Sequence, residues 1–199
     1  MNKSLITLGI IGFIVLLIGF NGCGSYNTMQ RMDEEVNGKW HDVEVVYQRR
    51  SDLIPNLVQT VQGYANFEKS TLQAVVEARA NATKVMIDPS KLTPETMRNY
   101  QAAQGAVTSS LGRLLAVAEN YPDLKANQNF MDLQKQLEGT ENRIAEERRK
   151  FNDAVKELNS YVRVFPRNIW AGMFGIQKRG YFEADAGAEK APQVKFDIK

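Results

Sequence analysis

The chain has 199 residues, 43% of them hydrophobic, and a formal net charge of +2. That length and apolar content suit one domain with a short appendage, and the balanced charge gives no footprint for nucleic acid. One cysteine, Cys23, excludes an internal disulfide, and one histidine, His41, leaves too little for a His-based metal cluster. His41 lies between Trp40 and Asp42 in a helical stretch and reads as a solvated helix-face residue.

Leu5 to Phe20 carry Thr7 as their only polar side chain, and extending the run to Gly24 gives roughly the length that crosses a bilayer. Three readings stay open for this segment: an uncleaved signal anchor, which we favour, a lipoprotein attached at Cys23, and a cleaved signal peptide. Lys3 favours a cytoplasmic N-terminus and hence a bundle outside the cytoplasm, in the periplasm. Gly9, Gly12, Gly19 and Gly22 fall near one helical face, where a second membrane helix could approach closely.

From Met29 the apolar spacing is helical. Met29, Met32, Val36, Trp40, Val43 and Tyr47 form a near-heptad seam, and the same register continues through Arg50, Ile54, Leu57, Val61 and Tyr64. Pro55 predicts a kink. Gly63 to Phe67 predicts a break, with Asn66 as a candidate cap for the next helix. The seam resumes at Glu68, Leu72, Val75 and Arg79, and Asp88-Pro89-Ser90 ends it. Thr93-Pro94-Glu95 starts a third helix with seam residues Met97, Tyr100, Gln104, Val107, Leu111, Leu114, Ala118 and Tyr121. Ala102, Ala103, Ala106, Ser109 and Ser110 are small enough for close packing there. Tyr121-Pro122-Asp123 stops it. A last helix over 124–165 has the seam Phe130, Leu133, Leu137, Glu141, Ile144, Arg148, Phe151, Val155, Leu158, Val162 and Phe165. The expected fold is all-α: an N-terminal transmembrane helix (1–25) and an up-and-down antiparallel four-helix bundle (26–165) with helices at 26–64, 66–87, 94–121 and 124–165.

Residues 166–182 are aromatic and basic, with no acid. They read either as a membrane-surface segment or as a hydrophobic lid on the bundle. Residues 183–199 read as a flexible tail, and Val194, Phe196 and Ile198 alternate at its tip.

The motif Arg49-Arg50-Ser51-Asp52-Leu53-Ile54-Pro55-Asn56-Leu57-Val58 carries more than helix spacing. It follows Tyr26-Asn27 and Trp40, and precedes Gly63-Tyr64, Ala78-Arg79 and Tyr121-Pro122-Asp123-Leu124. Later come Glu141 with Ile144 and Arg148, Phe151-Asn152, Leu158-Asn159 and Phe165-Pro166. Together these resemble the LemA family of bacterial membrane-anchored proteins over nearly the whole chain. Asn152 departs from the family's more usual Tyr after Phe151. The resemblance implies a four-helix bundle on one membrane segment and no established enzymatic activity. A related branch at magnetosome membranes points to membrane organisation.

Arg50, Glu141 and Arg148 sit on the seams of the two longest helices, so a polar layer is expected in which Glu141 meets Arg50 or Arg148, with Asp52, Asn56, Asn152 or Asn159 nearby. Glu141 with Glu138 or Glu68 could be imagined as a carboxylate pair, but no phosphate loop or metal spacing accompanies them. No catalytic, cofactor or metal residue is therefore assigned. The expected function is a non-enzymatic membrane scaffold or assembly protein. The alternative is an accessory or sensor subunit for another envelope protein, such as a protease or signalling partner. The expected partners are the membrane and a second copy of the chain. Contacts are placed at Gly9, Gly12, Gly19, Gly22, Met32, Val36 and Trp40, with Trp170 and Phe174 at the membrane.

Overall fold

The computed structural model describes residues 3–64 and 67–184, with the backbone alone for 3–7 and 14–21. The described residues form helices, turns and extended segments, with no strand. Helix α1 runs unbroken from Lys3 to Gln62, so the apolar run and the expected first bundle helix are one rod. It passes through Pro55. It ends where Gly63 follows, and the expected break before the next helix is present. Asn66 lies outside the described residues. Among the described residues no helix is long and apolar enough to cross a membrane, and most side chains of the Leu5–Phe20 run lie outside the description.

Helix α2 (Lys69–Lys84) leads to a 3-10 turn at Pro89–Lys91. The Asp88 carboxylate caps that turn by accepting from the Ser90 backbone N–H at 2.9 Å and the Ser90 hydroxyl at 2.7 Å. Helix α3 (Pro94–Ala118) begins with the expected Thr93 cap. Thr93 Oγ1 accepts from the Thr96 N–H, and Thr96 Oγ1 accepts from the Thr93 N–H in return, so threonine completes the box that glutamate more often closes. The expected last helix is divided. A single turn, α4 (Pro122–Lys125), precedes α5 (Gln128–Arg163), because Asn127 Oδ1 accepts from the Phe130 N–H and caps a new start. Helix α6 (Arg167–Met173) follows.

Helix α1 packs along α5, and α2 packs along α3. The first pair is antiparallel with matched rise. Asn127 Nδ2 donates to the Tyr64 hydroxyl, Arg50 meets Glu141, and Trp40 meets Phe151. Each step back along α1 is an equal step forward along α5. The predicted seams are the core: Met29, Val36, Trp40, Val43, Ile54, Leu57 and Val61 of α1 are all but fully buried. Phe165 departs from its seam at 75% exposure, because α5 stops two residues earlier. Of the small α3 residues, Ala102, Ala106 and Ser109 face solvent rather than a partner helix.

Part of the seam of α1 from Met29 to Val43, at Met32, Val36 and Trp40, was expected to lie open for a second copy. It does not: Met29, Val36, Trp40 and Val43 have no exposure in the single chain, and Met32 packs against the same core. What covers them beyond α5 is the C-terminal segment. After α6 the chain turns at Gly175, at φ 71°, and continues extended to Glu183 as a strap. Phe182 of the strap is stacked on Trp40 at 6.1 Å and meets Phe151 edge-on at 5.5 Å.

Side-chain amides hold the strap in both directions. Asn159 accepts from the Arg179 N–H and donates to its carbonyl, each at 2.9 Å. Asn152 does the same for Phe182, and Gln101 of α3 for Glu183. The Arg179 guanidinium grips Asp33 of α1 at 2.7 and 2.9 Å and reaches the Ser90 carbonyl. Glu183 is therefore fixed at its backbone, and residues 185–199 of the expected tail lie outside the described residues.

Gly180 donates its N–H to the Leu92 carbonyl, and a Cβ there would stand 2.8 Å from the Thr93 backbone. Backbone cannot give way, so Gly180→Ala is expected to cost about 1–3 kcal/mol in chemical denaturation. The control is Gly112→Ala on α3, where a Cβ meets nothing within 4 Å. There the gain in helix propensity should stabilise by about 0.5–1 kcal/mol.

Candidate functional site

The core is two apolar clusters with a polar layer between them. One cluster takes α1 up to Tyr47, α3 up to Tyr100 and α5 from Ile144 onward. The other takes α1 from Ile54, α3 from Val107 and α5 up to Leu137. Arg50 sits at the boundary, 2% exposed. Its Nη1 donates to Glu141 Oε1 and to Thr108 Oγ1, both at 2.8 Å. Its Nη2 donates to Gln104 Oε1 at 2.6 Å and to the Gln104 carbonyl at 3.2 Å. The guanidinium also lies 5.0 Å from the Tyr47 ring. Arginine is the side chain that can do this, because its planar fork keeps its charge and offers several fixed donors. The expected meeting of Glu141 with an arginine is present.

The other expected members divide. Asp52 is exposed and accepts from Gln48 on its own helix, and Asn56 is exposed too, so neither joins the layer. Asp52 stands two positions from both Arg50 and Ile54, which turns it away from the seam. Arg148 donates to the Glu183 carbonyl at 3.0 Å and lies over the Phe182 ring at 4.8 Å, on the strap. Asn152 and Asn159 serve the strap as well. Sequence reasoning missed Gln104 and Thr108 as partners of Arg50. Gln104 had a signal, a polar residue on an apolar seam.

Burial pushes the Tyr100 phenol well above its ordinary range, with the nearby Tyr47 and Glu44 adding to the effect. No group of carboxylate, histidine and cysteine side chains that could hold a metal occurs among the described residues. His41 is solvent-exposed and stands 3.8 Å from Glu44. Arg50 lines two open clefts of about 290 and 380 Å³, and its donors are directed at protein oxygens. The layer thus joins helices.

The sequence model of the LemA family matches residues 39–196. The chain belongs to the LemA family. Magnetosome protein MamQ 2 of Paramagnetospirillum magneticum is 26% identical over 88% of this chain and 69% of its own length. Magnetosome protein MamQ of Magnetospirillum gryphiswaldense is 26% identical over 90% of this chain and 71% of its own length. Protein LemA of Metamycoplasma hominis is 25% identical over 86% and 76%. The family match begins just before Trp40 and includes both the Arg50 layer and the strap.

At the opposite end of the α1–α5 pair, α6 lies against α1. A Cβ on Gly22 would meet the Trp170 ring at 3.1 Å, and Phe174 packs edge-on against Tyr26 at 4.7 Å. The face of Gly22 expected to receive another membrane helix is therefore occupied by this chain's own tryptophan. Gly9 and Gly12 have nothing within 4 Å, and the surroundings of Gly19 lie outside the described residues.

Glu141 is 38% exposed, so water can partly replace it, while Arg50 is sealed. Glu141→Ala should then cost about 1–2 kcal/mol, below the range for a sealed pair. Arg50→Ala removes one hydrogen-bond partner each from Glu141, Gln104 and Thr108 and leaves a void, and should cost about 3 kcal/mol or more. Urea titrations of the two variants check the order. Alkaline unfolding tests Tyr100. Its folded-state value is raised, so the unfolded chain ionises first. Its contribution is fully present below about pH 10 and is lost as pH rises above it. Tyr100→Phe should flatten the fall in stability above that pH.

Proposed function

We propose that the protein is a single-pass, membrane-anchored and non-enzymatic scaffold of the bacterial envelope, with α1, α2, α3 and α5 as an up-and-down bundle outside the cytoplasm. The observation that carries this reading is the continuity of α1. Residues 5–24 and the buried seam from Met29 onward share one helix, so an inserted N-terminus holds the bundle upright with no linker. Twenty helical residues span about 30 Å, the thickness of a bilayer core. Lys3 before the run supports the orientation. Family membership and relatives named as magnetosome proteins support a role at a membrane. For the scaffold part, the support is the open face at Gly9 and Gly12, where a second copy of the span could pack. The buried seam no longer contributes to that contact.

The test uses the full chain in its own membranes. Alkaline carbonate should leave it in the pellet, and the intact mass should correspond to the uncleaved 22.4 kDa chain. In native nanodiscs its particles should contain several copies, and Gly12→Leu should shift them to one. Release by carbonate, or loss of the N-terminal segment, would remove the anchor. Single copies at every concentration would instead favour an accessory subunit.

A further inference from the structure

The α5–α6 turn carries an apolar surface that the fold leaves uncovered. Phe165 is 75% exposed and Met173 69%. Val164 and Ile169 are more than half exposed, and Ile169 and Met173 lie one turn apart on the same face of α6. The opposite side of α6 is spoken for: Ala171 is buried, and Trp170 lies on Gly22. A fold that buries the whole α1 seam had the means to bury this face and does not. Contiguous exposed apolar surface of this kind marks an interaction site.

Its position identifies the partner. Helix α5 descends alongside α1, and beyond the turn at Phe165–Pro166 α6 reaches farther towards the start of α1. Trp170 rests on Gly22, in the last turn of the 5–24 run that the anchored reading places in the bilayer. The charge has one sign. Arg163 and Arg167 flank the turn, Lys178 follows on the strap, and no acid occurs between residues 163 and 182 of the sequence. Arg167 lies over the Tyr161 ring at 4.2 Å, and Arg163 and Lys178 are exposed. Aromatic rings beside an apolar ridge with a cationic border match the headgroup layer of a bilayer.

We propose that the α5–α6 turn and α6 form a foot that seats in the headgroup layer of the membrane, with Phe165, Ile169 and Met173 facing the acyl boundary and Arg163 and Lys178 meeting anionic phosphates. This rests on the anchored reading of α1 and adds a second membrane contact to it. The foot fixes the tilt of the rod, because α1 and α6 touch the bilayer at separate points. The apolar patch is then a seat on lipid rather than a lid.

The test places a fluorophore on the full chain in vesicles of phosphatidylcholine and phosphatidylglycerol. The exposed Cys23 is first replaced by Ala. One label goes at Met173→Cys. A control goes at Met86→Cys, which is exposed beside Glu44 and Tyr47, far up α1. The label at 173 should be quenched by lipids with a nitroxide high on the acyl chain and be severalfold less accessible to iodide than the control. Arg163→Glu with Lys178→Glu should restore iodide access while the protein stays in the carbonate-resistant pellet. A carbonate-resistant chain whose label at 173 is as open to iodide as the control overturns the foot and leaves the anchor. Protection from iodide without lipid quenching also overturns it, in favour of a protein covering the patch. Release of the chain by carbonate removes the anchor and the foot with it.

Discussion

The apolar seam of α1 has more width to cover than α5 alone can bury, and the strap is the consequence. Helices α2 and α3 form a pair beside α1, while the seam continues down to Met29. An extended segment laid on helices brings backbone N–H and C=O groups with no ladder to join, and burying them unpaired is costly. A side-chain amide solves this because it is itself a donor and an acceptor. The spacing matches. Asn152 and Asn159 are two turns apart, about 10.5 Å, and Arg179 and Phe182 are three extended residues apart, about 10 Å. Helix α5 thus presents a peptide-like edge to the strap, and Phe182 closes the ring cluster over Trp40.

The Arg50 layer imposes a complementary constraint. Apolar seams tolerate sliding by a turn, since one leucine replaces another. Arg50 does not tolerate it. Shifted by a turn, it would meet Leu137 or Ile144 in place of Glu141, and a sealed cation without a partner is among the most costly defects a core can hold. The layer therefore sets the register of α1 against α5, and with it the register of Asn152 and Asn159 against the strap. A slip at Arg50 would be felt at Phe182 as well.

Much of this could be read from the chain itself. Residue spacing located the α1 seam, the break after Gln62, the cap at Thr93 and the pairing of Arg50 with Glu141. Each is local or depends on a periodic pattern. The strap could not be read in the same way. Gln177 to Glu183 has no periodicity, and its contacts are with residues up to 146 positions away, as in Arg179 with Asp33. Asn152 and Asn159 were expected near the Arg50 layer and instead hold the strap, because an asparagine that joins a side-chain layer and one that pairs with backbone look alike in one dimension. The division at Asn127 went unread because an asparagine inside a polar stretch looks the same whether it caps a helix or lies within one. Asp52 and Asn56 were attached to the layer because they lie one turn apart around Pro55, where backbone groups or a neighbouring helix would be in reach, but both side chains are exposed.

The four glycines at the start of α1 look like one stripe in the sequence, yet Gly9, Gly12 and Gly22, the three whose surroundings are described, have different environments. Gly22 receives the Trp170 ring, so its missing side chain serves the attachment of α6 within the chain. Gly9 and Gly12 face open space. A larger residue at 22 would push the tryptophan outward and lift α6 from α1, whereas a larger residue at 12 would leave the single chain unchanged. The same residue type on the same helix therefore belongs to two problems: the intramolecular seating of the C-terminal segment near the end of the apolar run, and whatever approaches the helix farther in. Because α1 is rigidly continuous between them, a partner packed at Gly12 would also set the height and rotation at which α6 and its exposed apolar face are presented.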